Sequence, residues 1–471
     1  MPRNTRTSKN GTSYATKHHS ILWLLIVVML ATQSKNYQVD AAPPSVRRGL
    51  FELPSVSTEN LPVSIGQVDI EVPGANNDAP QAAQGKRVVW SQNIDIKALQ
   101  PERRNIIWTR LHFATNGTNL RVPAQPANVS WGADLPGDVV KITNQADPAS
   151  VQYFNNATLR QWSFNSAFFN GGNVTVELLA DPTLPADDKP SVVIDSIKVN
   201  ADASSRTDTI ALPPPNTLCN ANDERRPSAD TRIARIMPVG CTGWTINDPS
   251  NSGCQLTAGH CFDGKDLSQQ VLQFNVPRNI VVRSRAGNRV AILRHPPADQ
   301  QFAIDTNSVQ FRLTSTRQRV NSEDWGYFGV HPNPNTGRRP REQFGNQAFD
   351  LSPLNATGLL APETVQGGDE ATVRGFGLVI YAADRLDLSQ VQQSHTATVL
   401  SLSDAYHLNH RVDTEGGNSG SPIILANGQA VGIHTNGGCT TTSNRSSNWG
   451  STVAMRGLRA ALAAPRGVCS P

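Results

Sequence analysis

Short runs of alternating apolar and polar residues, broken at roughly ten-residue intervals by Gly, Asn, Asp or Pro, make up most of this chain and leave little room for anything but β-structure. Between residues 90 and 203 the stretches "NIIWTRLHFA", "SVQYFN", "NVTVELLA" and "SVVIDSIKV" carry this pattern, the mark of strands with one buried face. They predict a β-sandwich-like domain. From 216 to 471 come "RIARIMPVG", "VLQFNV", "NIVVRS", "ATVRGFGLVIY", "SPIILA" and "QAVGIHT". Only "STVAMRGLRAALAA", near the end, has a helical period. The expected fold is all-β: a two-lobed β-barrel with a C-terminal helix, preceded by a separate β-sandwich-like domain. The triple proline of "ADASSRTDTIALPPPNT" separates the two, because it can continue neither strand nor helix. The stretch 42–89, rich in Pro, Ala, Ser, Gly and Gln, reads as a flexible or pro-segment.

The N-terminus sets the compartment. Arg3, Arg6, Lys9 and Lys17 precede the apolar run "ILWLLIVVMLAT", with no acid among the first twenty residues. That is the layout of a secretory signal, expected to span 1–41; the run falls short of the about 20 apolar residues that cross a bilayer. Six cysteines, all from Cys219 onward, suit the oxidising compartment to which such a signal leads. Sequons at Asn116, Asn128, Asn156, Asn173, Asn355 and Asn444 fit a secreted glycoprotein. A formal charge of +4 over 471 residues argues against a nucleic-acid partner, and "GRRPR" reads as a solvated loop.

Two short stretches carry chemistry. In "GGNSGSP", Ser419 stands among glycines, a setting in which its own N–H and that of Gly417 can point at a developing oxyanion. A serine hydroxyl is a weak nucleophile and needs an imidazole to take its proton and an acid to orient that imidazole. His260 in "LTAGHC" offers the first and Asp324 in "SEDWGYFGV" the second. Asp305, ahead of a similar strand, is the rival acid; Glu323 would face the other side of its strand, and Ser421, followed by Pro422, is the rival nucleophile. The order His, Asp, Ser is one of the known triad orders.

Together "GCTGW", "LTAGHC", "DWGYFGV" and "GGNSGSP" resemble the chymotrypsin-like (trypsin-like) serine peptidases. The form "GNSGSP" followed by "GIHTNGG" is more similar to the glutamyl and lysyl endopeptidase members. The resemblance covers 216–471 and implies a chymotrypsin-like double β-barrel. It also implies His260 as general base, Asp324 as its orienting acid, Ser419 as nucleophile, and the Gly417 and Ser419 amides as oxyanion donors. The implied activity is a secreted serine endopeptidase acting on polypeptides through an acyl-enzyme, needing neither cofactor nor metal. A silent protease homologue, or a binding protein acting through the first β-domain, is the alternative.

The same resemblance raises finer expectations. Asn418 replaces the aspartate that receives a newly cut N-terminus in digestive members, so the region 42–215 is expected to hold activity back as a pro-domain awaiting an activating protease, or else to be a permanent accessory domain. Asp413, six residues before Ser419, is a candidate pocket acid for Lys or Arg substrates, whereas His434 resembles the imidazole that receives Glu. The two pull apart, with a slight lean to the acidic side. The implied disulfides are Cys241 with Cys261, Cys219 with Cys439, and Cys254 with Cys469.

Overall fold

The computed structural model describes residues 58–65, 85–101, 106–124, 130–200, 217–283, 289–314, 323–379 and 384–471, apart from 100, 186, 362, 441, 442, 444 and 445. The apolar run at 21–32 and the sequons at Asn128 and Asn444 lie outside the described residues.

Among the described residues, eight strands precede residue 201: β1 (Thr58–Ile65), β2 (Arg87–Asp95), β3 (Trp108–Phe113), β4 (Val139–Asn144), β5 (Val151–Phe154), β6 (Phe169–Asn170), β7 (Asn173–Ala180) and β8 (Ile194–Asn200). They form two four-stranded sheets, ordered β1-β8-β3-β6 and β2-β7-β4-β5. The alternation seen in sequence is what lets them face one another. In β7, Val174, Val176 and Leu178 are buried while Asn173, Thr175 and Glu177 between them are half-buried. These meet Val140 and Ile142 of β4, Leu111 and Phe113 of β3, and Ile197 and Val199 of β8 in one core. β1 lies inside the stretch 42–89. It pairs antiparallel with β8, Pro62 opposite Ser196, on the sheet edge where a residue without an N–H is tolerated.

Beyond residue 216 come β9 (Arg226–Pro227), β10 (Ile233–Met237), β11 (Cys241–Thr245), β12 (Gln255–Thr257), β13 (Val271–Gln273), the hairpin β14 (Ile280–Arg283) with β15 (Arg289–Ile292), β16 (Gln301–Leu313) and β17 (Asp324–Val330). The chain continues with β18 (Glu370–Gly375), β19 (Gln393–Asp404), β20 (His407–His410), β21 (Pro422–Leu425), β22 (Ala430–Asn436) and β23 (Asn448–Thr452). Six strands close barrel one in the order β10-β11-β12-β17-β16-β13. Barrel two runs β18-β21-β22-β23-β20-β19 and closes through β18 with β19, while β9 adds to the outside of β19. This is the chymotrypsin-like double barrel expected from the motifs, and the helix Arg456–Ala463 follows it, burying Leu458, Ala461 and Leu462.

The sandwich and barrel one share a core. Met237, Val271, Ala298 and Ala303 of the barrel pack into the apolar cluster of the sandwich. Gln301 spans the boundary: its Oε1 accepts from Phe168 N–H at 3.0 Å and its Nε2 donates to Phe168 C=O at 2.8 Å. Asn170 likewise brackets the backbone N–H and C=O of His295, both at 2.8 Å. Among the described residues, no hydrogen bond from residues 85–200 reaches His260, Asp324 or Ser419.

Candidate active site

His260 lies in the tight turn Gly259–Cys261, directly after β12. A side chain at 259 would stand 2.1 Å from the Arg312 carbonyl oxygen, so only glycine lets the turn approach β16 this closely. The Cys241–Cys261 disulfide fastens the turn to β11. Because Leu256 and Thr257 of β12 pair with Tyr327 and Gly326, the turn stands beside the start of β17, where Asp324 is. His260 N–H donates to Asp324 Oδ1 at 2.9 Å, and the ring Nδ1 lies 2.7 Å from Oδ2. With its Nδ1 proton given to the carboxylate, the imidazole keeps a lone pair on Nε2 and can accept a proton there.

The competing acids are engaged elsewhere. Asp305 accepts from the N–H groups of Asn307 and Val468, and Glu323 faces Arg312 and the Trp325 indole.

Ser419 is held by its carbonyl neighbours. Thr242 N–H donates to Ser419 C=O at 2.9 Å, Thr242 Oγ1 donates to Gly417 C=O at 2.8 Å, and the Trp244 indole donates to Gly420 C=O at 2.9 Å. Barrel one thus ties back the acceptors of this loop. The N–H groups of Gly417 and Ser419 have no acceptor among the described residues, as expected of donors kept for an oxyanion. Gly417 achieves it at φ +99°, a backbone closed to other residues at little cost. Ser419 is half-buried, and its carbonyl oxygen lies 3.9 Å from Cys261 Sγ, next to the histidine in sequence. Its Oγ makes no hydrogen bond to His260 here; such bonds often tighten only with substrate bound. Ser421 is fully buried against Gly375. Thr242 and Trp244 carry no chemistry that sequence reasoning could find; their one signal was the fragment "GCTGW".

The two pocket candidates part company. Asp413 has both carboxylate oxygens taken by backbone amides, Cys219 N–H on Oδ1 at 2.7 Å and Glu224 N–H on Oδ2 at 3.0 Å. Its side chain is wholly buried, so the structure does not bring it to a substrate cation. His434, on β22, is tied to the Ser419 loop by its backbone: its C=O accepts Gly420 N–H and its N–H donates to Ser421 C=O, both at 2.8 Å. Its Nδ1 is 3.3 Å from Nε2 of His410, a residue not singled out from the sequence, whose own Nδ1 accepts from Val412 N–H at 3.2 Å. Burial drives His434 well below its ordinary pKa, and His410 to about 3, so both rings are neutral near pH 7. The Val412 bond then dictates the tautomers. His410 carries its proton on Nε2 and donates it to His434 Nδ1, which leaves His434 with an Nε2–H to offer.

Cys219–Cys439, Cys241–Cys261 and Cys254–Cys469 are bridged. Glu224, His395 and Asp413 gather metal-ligating atoms within 4.8 Å. Asp413 N–H already occupies His395 Nδ1 at 2.8 Å, which leaves that ring only Nε2 for an ion.

No family model matches this chain, and no curated protein matches it. Among solved structures it is similar to a Glu endopeptidase in complex with MPD, with 19% identity and a TM-score of 0.34 over 52% of this chain and 99% of that one. It is also similar to a thermostable serine protease from an extremophilic microorganism, with 15% identity and a TM-score of 0.33 over 50% and 98%.

Proposed function

We propose that this chain is a secreted serine endopeptidase that cuts polypeptides through an acyl-enzyme at Ser419. The observation that carries the reading is the His260–Asp324 pair, with its free Nε2, beside a loop whose Gly417 and Ser419 amides are unclaimed. Ser419 Oγ attacks the scissile carbonyl carbon as His260 Nε2 takes its proton, and the carbonyl oxygen, now negative, accepts from the two amides. His260 then protonates the leaving amine as the C–N bond breaks. Water, deprotonated by the same ring, releases the acyl group and restores Ser419.

His434 is the basis for proposing Glu before the cut bond: a neutral, buried N–H donor fixed by His410 suits a carboxylate better than a cation. Asp413 lends no support to Lys or Arg, since its oxygens are committed. The sandwich is proposed to stay docked as an accessory domain rather than to leave as an inhibitor, because it shares a core with barrel one and makes no bond to the site. Asn116 and Asn355 are exposed and are the proposed glycan sites. No helix among the described residues is long and apolar enough to cross a membrane.

A fluorophosphonate adduct measured by intact mass tests the reading. One adduct on the wild type and none on Ser419→Ala is expected; no adduct on either would hand the lead to a binding role. Cleavage of a peptide library would then read the residue before the cut.

A further inference from the structure

The nucleophile loop is also gripped from a side that this mechanism leaves unused. Residues 217–227 precede barrel one in the chain yet run along barrel two. Pro227 and Arg226 of β9 pair with Gln393 and Ser394 of β19, and Cys219 is bridged to Cys439. Asp413, two residues from Glu415, holds the arm by the amides of Cys219 and Glu224. Thr414 N–H donates to Thr217 C=O at 3.3 Å, and Thr217 Oγ1 donates back to Thr414 C=O.

At the end of the arm a guanidinium is buried. Arg225 is 2% exposed; Nε and Nη2 donate to the two oxygens of Asp223 at 2.9 and 2.8 Å, and Nη2 also donates to Leu378 C=O at 2.8 Å. A pair of this kind gains little net stability from burial, because desolvation offsets the attraction. Its position is what sets it apart: Nη1 lies 3.4 Å from Oδ1 of Asn418, the residue before Ser419. That same Oδ1 accepts Glu415 N–H at 3.0 Å, while Asn418 N–H donates to Glu415 C=O at 2.9 Å, closing the 415–418 turn. Leu378 N–H donates to Gly416 C=O at 2.8 Å, so Arg225 reaches the turn by two routes.

We propose that Arg225 is a positioning residue for the Gly417–Ser419 amide pair: by holding Asn418 Oδ1 and Leu378 it fixes the 415–418 turn, so that the uncut arm sets the catalytic loop. This rests on the reading of Ser419 as nucleophile. It follows that reactivity needs no new amino terminus ahead of residue 217.

The test uses the full-length, uncut chain with Arg225→Met, Arg225→Ala and Arg225→Lys, reading the rate of fluorophosphonate labelling together with kcat and KM on a peptide ester. Loss of one oxyanion donor costs about 100- to 1000-fold, so loosening the pair should slow labelling and kcat by roughly 10- to 100-fold, with KM little changed. Arg225→Lys should recover part of the loss, and free guanidinium ions should speed labelling of Arg225→Ala, which a merely structural defect would not allow. If Arg225→Met does not fold, Asn418→Ala, which keeps the Asp223 pair intact, must show the same loss. Equal labelling of wild type and a folded Arg225→Met overturns this proposal and leaves the nucleophile reading standing. A wild type that is never labelled overturns both, whereas one labelled only after a cut near residue 217 overturns the role of the uncut arm alone.

Discussion

Replacing Asp324 with asparagine probes the site at its most constrained atom. Oδ1 is claimed by the backbone N–H of His260 at 2.9 Å, so an asparagine must keep its carbonyl there and turn its NH2 to the place of Oδ2, 2.7 Å from Nδ1. Two donors cannot face one another at that distance. The ring must therefore move its proton to Nε2, the atom that accepts one from Ser419 in the proposed mechanism. The wrong tautomer of this pairing costs about 10⁴ in kcat, or about 5.4 kcal/mol at about 1.36 kcal/mol per decade. KM for a short ester and the melting temperature should hardly move, since shape and the backbone hydrogen bond survive. The assay is steady-state hydrolysis of a peptide p-nitroanilide ending in Glu, with sites counted by fluorophosphonate. Asp305→Asn is the control and should keep full activity, because Asp305 serves the amides of Asn307 and Val468. A kcat for Asp324→Asn within tenfold of wild type would refute the reasoning.

Three further outcomes follow from named contacts. His434→Leu should lower kcat/KM for Glu substrates by about 10- to 150-fold, the worth of one hydrogen bond to a charged group, and leave Leu substrates unchanged; an equal fall on both would remove His434 from the pocket. Burial lifts the Glu415 carboxyl from 4.5 to about 7, so the native state keeps a proton that the unfolded chain has released, and stability falls as pH rises from about 4.5 to 7. The loss is about 3 kcal/mol, and denaturation at pH 5 and pH 8 should find it in wild type and not in Glu415→Gln. Gln301→Leu should cost about 2–4 kcal/mol by leaving Phe168 N–H and C=O unpaired within the shared core, with sandwich and barrels still melting in one transition; separate transitions would mean that the two are independent.

Strand positions were legible in the sequence because the alternation of β7 is local, and two strands that each bury one face have few ways to pack. Barrel strands such as β10 and β17, buried along their whole length, still betray themselves by mostly apolar residues that run up to a proline at 238 and 332. β1 was not legible. Its pairing with β8 joins residues 129 to 142 positions apart, and its flanks have a linker's composition. His260, Asp324 and Ser419 could be named as candidates because each stands in a short motif whose neighbours are dictated by geometry, glycine above all.

Asp413 marks where such reading stops. A carboxylate six residues before the candidate nucleophile has the same letter whether it faces a substrate or an amide. What decides is a segment 189 to 194 positions earlier, the arm whose Cys219 and Glu224 amides fill both its oxygens. Apart from Cys219 the arm gives no signal in sequence: Arg225 followed by Arg226 looks like a solvated basic pair, yet the first is buried on Asp223 and the second is exposed on β9. One aspartate therefore moves from proposed specificity to assembly, and the proposed preference for Glu rests on His434. The two residues therefore carry separable signatures: a change at His434 should alter which bond is cut, and a change at Arg225 should alter how fast any bond is cut.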